Sequence, residues 1–176
     1  MAKVILDEKS MWSTLRRLSY EIVEKNVADR DIYLVGIKRR GTSLAHIICD
    51  NINGFGDVRA HCGEIDISFY RDDLKSIAEQ PIVNRAELGF SVEGRTIVLI
   101  DDVLYTGRTA RAAIDAVLAL GRPSAIRLCE LVDRGHRELP IRADFVGKNV
   151  PTSTDEVINV RTKDYDGEMC VLLERL

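Results

Sequence analysis

Two adjacent carboxylates, followed within a few residues by a Thr-Gly-Arg-Thr turn, are the residues whose types and spacing can do chemistry. Asp101 and Asp102 close the apolar run Ile97-Val98-Leu99-Ile100, and Val103, Leu104 and Tyr105 lead on to Thr106, Gly107, Arg108 and Thr109. The run does not alternate, which predicts a strand buried on both faces of a parallel sheet. A helical pattern follows, with Ala110, Ala113, Ile114, Val117 and Leu118 on one face. Strand, turn and helix in that order put the turn at the carboxyl edge of the sheet, where open α/β folds bind ligands. Gly107 lets the backbone approach an anion, Thr106 and Thr109 add hydroxyl donors, and a helix N-terminus favours negative charge by ~0.3–1 kcal/mol at an exposed site. Asp101 and Asp102 would repel that same anion. A sugar between them removes the conflict, with phosphate in the turn and ribose hydroxyls donating to the carboxylates.

Two plainer readings compete. A strand ending in Asp-Asp also suits a metal or Walker-B-like edge, and Thr-Gly-x-Thr also suits an ordinary helix cap. No G-x-x-x-x-G-K-[ST] occurs, so a Walker-B aspartate has no P-loop partner, and no G-x-G-x-x-G follows a strand.

The elements that must position this stretch are legible to different degrees. Asp7 predicts an N-cap for a helix over residues 8–26, with Met11, Leu15, Leu18 and Ile22 facing inward. Residues 31–37 read as a buried strand, and a helix is expected from about Ser43 to Asn51. Between them Lys38, Arg39 and Arg40 lead to Gly41 at a strand-to-helix turn, a second anion-binding edge suited to a diphosphate. Asn51 to Gly56 reads as a connection. The alternation from Gly63 to Tyr70 predicts a strand with one wet face, and Tyr70-Arg71-Asp72-Asp73 opens about twenty polar residues of the length expected of a functional loop. Ile126 to Val132 reads as another buried strand, delivering Asp133-Arg134-Gly135-His136-Arg137-Glu138-Leu139-Pro140 to the same edge. Residues 156–160 and 168–173 read as two final strands.

The whole chain sets limits. Its 176 residues predict a single domain able to bury roughly 70% of its extended-chain surface. A net charge of −3 means that nucleic-acid binding would need a local basic face. Cys49, Cys62, Cys129 and Cys170 show no C-x-x-C spacing, so reduced thiols in a cytoplasmic protein are expected rather than a zinc site. No signal peptide or membrane-length apolar run occurs.

The stretch Ile97–Thr109 resembles the phosphoribosyl-diphosphate (PRPP) binding motif of type I phosphoribosyltransferases. Asp-Asp-Val-Leu-Tyr-Thr-Gly-Arg-Thr, and the segment from Asp133 through Ile141-Arg142-Ala-Asp-Phe-Val-Gly-Lys148 to Ser153, are similar to the bacterial pyrimidine-operon regulators, the PyrR family. The resemblance implies an α/β type I phosphoribosyltransferase fold. That fold is a mainly parallel twisted sheet flanked by helices, with a small hood and a flexible closing loop. It implies uracil phosphoribosyltransferase activity, uracil plus PRPP giving UMP plus diphosphate, with Mg2+ bound mainly through PRPP or diphosphate. It also implies binding of leader mRNA in response to UMP or UTP, with transcriptional attenuation, and a homodimer or homotetramer. An enzyme without the RNA role is the alternative, and transfer to a purine or to orotate ranks below both. By the same resemblance Lys38, Arg39 and Arg40 hold the diphosphate and Asp101 and Asp102 face the ribose. Residues 103–109 complete the nucleotide site, Arg71 sits on the closing loop, and Arg134 and Ile158 border the nucleotide. Arg16, Arg17, His136, Arg137, Arg142 and Lys148 form the RNA surface. The chain departs from the family pattern at Arg39, where Thr is usual, at Tyr20, where His is common, and at Arg16.

Overall fold

A computed structural model describes residues 2–26, 28–67 and 86–176. Arg71 and the rest of the Tyr70–Asp73 segment lie outside them. Strand β1 (Lys3–Leu6) leads into helix α1 (Glu8–Lys25). The Asp7 carboxylate accepts from the Ser10 N–H at 2.8 Å, filling one of the helix's orphan donors. Met11, Leu15, Leu18 and Ile22 are fully buried, as their spacing predicts. Next come β2 (Asp31–Ile37), α2 (Arg40–Phe55), β3 (Arg59–Ile65), β4 (Ala86–Glu87), β5 (Thr96–Leu104), α3 (Arg108–Leu118), β6 (Ala125–Asp133), β7 (Phe145–Asn149), β8 (Glu156–Arg161), α4 (Lys163–Asp166) and β9 (Cys170–Arg175).

Six strands form one sheet in the order β4-β3-β2-β5-β6-β7, parallel throughout except for the short antiparallel β4. One apolar cluster joins α1 and α2 to the sheet through Leu15, Leu18, Ile48, Val98, Ile100 and Leu131. A second joins α3 through Ala113, Val117, Leu99 and Leu128. Helices therefore cover both faces, which explains strands without alternation. A separate antiparallel sheet, β1-β9-β8, ties the two chain ends together as the hood, and Ile158, Val160 and Val171 anchor it in the first cluster.

Several sequence expectations are corrected. Helix α2 starts at Arg40 and runs to Phe55 rather than ending near Asn51. Ile52 continues its buried stripe, and the asparagines that read as turn formers have neighbours. Asn51 donates to Ser19 Oγ at 3.1 Å, and Asn53 accepts from Ala60 N and donates to Ala60 O. The turn itself comes at Gly56, whose φ is 84°. Strand β3 begins at Arg59 because in-register pairing with β2 starts at Asp31 opposite Arg59, and it ends at Ile65. Residues 68–70 lie outside the described set. Strand β5 does not stop at the carboxylates, since its ladder with β6 runs on to Leu104 opposite Asp133. Leu118 stands on the open side of α3 at 51% exposure; Ala112 and Ala116 complete the buried face instead. Strands β1, β4 and β7 and helix α4 had no sequence expectation. All four cysteines are free. Among the described residues no helix is long and apolar enough to cross a membrane.

Close approach between β2 and α2 sets the turn of residues 38–40 at the sheet edge. A Cβ at Gly36 would sit 2.5 Å from Thr42 Cα and 2.8 Å from Gly41 O, both backbone atoms. We expect Gly36→Ala to lower the urea midpoint by an amount worth ~1–3 kcal/mol, the range of core overpacking. Wild-type stability in that variant would contradict the contact.

Candidate ligand site at the carboxyl edge of the sheet

Asp101 and Asp102 occupy consecutive positions near the end of β5, so their side chains start on opposite faces. Asp101 is buried at 7% exposure, and a Cβ placed on Gly41 would meet its Oδ1 at 3.2 Å. Asp101 Oδ1 accepts from Asp102 N at 2.9 Å, and Asp102 Oδ1 accepts from Val103 N at 3.0 Å. Burial pushes the Asp102 carboxyl above its ordinary value, opposed by its hydrogen bond with Asp101 and the field of Arg40.

The turn beyond them is a cradle. Gly107 has φ 91°, a conformation that L side chains rarely adopt. The Arg108 N–H reaches Thr106 Oγ1 at 3.3 Å, and α3 begins there. A cavity of about 380 Å³ opens over this turn, lined by residues 103–110 with Glu130 and Glu138. Arg108 Nε pairs with Glu138 at 2.6 Å across it.

The loop after β6 braces the cradle from behind. Glu138 N and Leu139 N both donate to Thr106 O, and Arg134 N donates to Leu104 O. Arg137 donates to Tyr105 O at 2.7 Å and to Ile141 O at 3.0 Å, and it pairs with Asp133. Burial raises the Asp133 carboxyl, but Arg137 and the Gly135 N–H outweigh it and hold the group below its usual range. Arg134 is buried; it donates to Thr152 Oγ1 at 3.0 Å and Glu156 O at 2.6 Å, with its guanidinium 4.0 Å from the centroid of the Tyr105 ring.

The turn after β2, the strand paired with β5, adjoins this site. The Lys38–Arg39 peptide is cis. Lys38 pairs with Glu64 at 2.7 Å, Arg40 pairs with Asp166 of α4 at 2.9 Å, and Arg39 is exposed.

The structure sorts the residues named from sequence. It gathers Asp101, Asp102, Val103, Leu104, Tyr105, Thr106, Gly107, Arg108 and Thr109 around one edge, with Lys38, Arg39 and Arg40 on the adjoining turn. Ile158 sits in the hood, buried in the first apolar cluster. Arg137, half-buried, donates to the carbonyls of Tyr105 and Ile141 and pairs with the Asp133 carboxylate. Arg16, Arg142 and Lys148 are exposed. Arg17 is exposed too, but it is anchored to Glu21 and to the Gly147 carbonyl next to Lys148. His136, at φ 59°, meets Thr152 O through Nε2 at 2.6 Å. A larger cleft of about 520 Å³, lined by Arg137, Pro140, Arg142 and Asn149 among others, includes neither carboxylate of the pair and no residue of the turn. Sequence reasoning passed over Glu130, one carboxylate within the apolar run of β6. That mismatch was the available signal.

Comparison with known proteins agrees with this geometry. The family model described as "Phosphoribosyl transferase domain" matches residues 1–172. Proteins named "Bifunctional protein PyrR" are similar along nearly the whole chain. The one from Clostridium novyi is 53% identical, covering 96% of this chain and 94% of its own. That from Ligilactobacillus salivarius is 50% identical with all of both chains covered. In fold, a hypoxanthine phosphoribosyltransferase from Staphylococcus aureus superposes with a TM-score of 0.72 at 18% identity, covering 99% of this chain and 92% of that one. The chain thus belongs to the phosphoribosyl transferase family and, within it, to the PyrR family of bifunctional proteins.

The Arg40–Asp166 pair fastens the short helix α4 to the turn of residues 38–40. Its hydrogen bond to Arg40 holds the Asp166 carboxyl below its ordinary value. A depressed folded value means that the stabilisation is present above the unfolded value, about pH 4, and is lost as pH falls through the folded one. We expect Asp166→Asn to speed amide exchange in residues 162–167 at neutral pH, with the difference from wild type vanishing in acid. Equal exchange at neutral pH would show that the pair does not hold this helix.

Proposed function

We propose that this chain transfers the phosphoribosyl group of PRPP to N1 of uracil. The same nucleotide site would tune its binding to pyrimidine-operon leader RNA. The observation that carries the reading is a ribose-phosphate-shaped edge: two carboxylates leading directly into a glycine-hinged anion cradle, in a chain half identical to bifunctional PyrR proteins.

The reaction forms a bond from C1 of the ribose to N1 of uracil and breaks the bond from C1 to the diphosphate oxygen. The N1 proton leaves, and diphosphate carries away the bonding electrons. Positive charge builds on the sugar as that bond stretches, as in glycoside cleavage. Asp101 and Asp102 accept from the ribose hydroxyls and place negative charge near the developing cation, which lowers the barrier by fixed electrostatics. Thr106 to Thr109 hold the 5-phosphate through N–H and hydroxyl donors. Tyr105, stacked under Arg134, and the carbonyls braced by Arg137 fix the wall between phosphate and base.

Lys38, Arg39 and Arg40 face the diphosphate. Two of these three cations are already paired with Glu64 and Asp166, so the turn carries too little free positive charge for a diphosphate alone. This suits Mg2+, a hard cation that would enter with the diphosphate and need few protein ligands. When bound, it neutralises charge on the leaving group.

RNA binding rests on the family together with exposed Arg16, Arg17, His136, Arg142 and Lys148 and the half-buried Arg137. Tyr20, where the family commonly has His, stacks on Phe55 with ring centroids 4.1 Å apart and keeps an exposed aromatic face of the kind that stacks on unpaired bases. Oligomerisation to a dimer or tetramer belongs to the same reading.

Asp101→Asn should cut uracil-dependent diphosphate release by about 10²-fold or more, the scale of losing one preorganised electrostatic contact, with melting temperature retained. Unchanged kinetics would remove the ribose assignment. Gel shift of a leader hairpin should show salt-dependent binding, strengthened by UMP and weakened by Lys148→Ala. Binding no tighter than to a scrambled hairpin would leave only the enzyme.

A further inference from the structure

Glu130 sits mid-sheet on β6 at 1% exposure, directly across the ladder from Asp101. Its Oε2 is buried without a hydrogen-bond partner among the described residues, and the residue lines the cradle over residues 103–110. Leu128, two residues earlier on the same face, packs with α3, so Glu130 looks out beneath the helix whose N-terminus forms the cradle. An ionised carboxylate there would be desolvated, unpaired and beside other carboxylates. Such a buried charge costs so much that a side chain gives it up by holding its proton.

The charged groups around it agree. Burial comes first in raising the Glu130 carboxyl well above its ordinary value, followed by the fields of Asp101 and Asp102 from β5 and Asp133 from its own strand; Arg137 opposes them. From the turn and α3 come Tyr105 and Arg108, the latter already paired with Glu138.

We propose that Glu130 is a proton-bearing wall of the cradle, neutral while a phosphate monoester occupies the turn and expelling that ligand when its proton is lost. The inference rests on the ribose-phosphate reading above. The neutral acid adds no charge against the bound anion and offers an O–H donor at the cradle wall. Loss of the proton to solvent would place a fourth carboxylate beside Asp101, Asp102 and Asp133 and set it against the phosphate. By linkage the effect is reciprocal, and a bound phosphate makes the Glu130 proton harder to remove. The strain is also one of stability. A carboxyl whose folded value is raised leaves the folded state holding a proton that the unfolded chain releases, so stability declines as pH rises between the two values.

The test is binding of ribose 5-phosphate, followed by calorimetry from about pH 7 upward through the midpoint of the Glu130 carboxyl, a range in which the phosphate monoester, with a second pKa near ~6, is already dianionic. Wild type should weaken by about tenfold on passing that midpoint, and Glu130→Gln should stay flat. Carbon-13 labelling of the glutamate carboxyls supplies a readout independent of any variant's folding. One buried carboxyl should remain protonated at neutral pH, with its midpoint moving up on adding ribose 5-phosphate. Binding that is equal on both sides of that midpoint in wild type, or a Glu130 midpoint in the ordinary range near ~4.3, would overturn this inference alone. No binding at any pH would overturn the ribose-phosphate reading and this inference with it.

Discussion

Parallel pairing of β5 with β6 sets Asp101 opposite Glu130 and Leu104 opposite Asp133. The contacts at the ligand edge follow from that register. Side chains alternate along a strand, so a slip of one residue would turn Asp101 to the other face and carry Asp133 and its loop out of reach of the turn. The register is held by what lies below it. Ile97, Val98, Leu99 and Ile100 are all buried, half against α1 and α2 and half against α3. An apolar strand of this kind has no face that tolerates water, and the carboxylates must then fall at its exit.

A concentration of carboxylates at one sheet edge is expensive, and the fold handles each differently. Asp133 is met by Arg137, while Asp101 and Asp102 receive backbone N–H groups. Glu130 receives none at Oε2 among the described residues, and burial, reinforced by the neighbouring carboxylates, pushes it toward neutrality. Arg137 does more than balance Asp133. By donating to the carbonyls of Tyr105 and Ile141 it fastens the loop after β6 to the turn after β5, so the two segments with the strongest family resemblance form one mechanical unit. Catalysis by positioning needs this kind of rigid support.

Much of this was legible in the sequence because apolar patterning and capping are local. Helix α1 and strand β2 follow from periodicity and a capping aspartate, and the cradle follows from Asp-Asp and Thr-Gly-x-Thr. What stayed hidden depends on partners distant in the chain. The extension of α2 through Asn51 and Asn53 relies on Ser19 and Ala60, which the local turn signal does not reveal. The early start of β3 at Arg59 relies on β2, and the hood strand β1 relies on β9 from the far end. The carbonyl contacts of Arg137 were not legible, since a basic loop looks the same whichever way its guanidinium points. Glu130 was visible as an oddity, but its meaning needed the ladder that sets it against Asp101.

The most direct test of the central claim, that the turn after the carboxylate pair is the phosphate-ribose site, is a backbone amide chemical-shift map of UMP binding. The account predicts the largest shifts at Thr106, Gly107, Arg108 and Thr109, with smaller ones at Asp101 and Asp102. Shifts gathered instead around Arg142 and Asn149 in the larger cleft, with the turn unmoved, would contradict it.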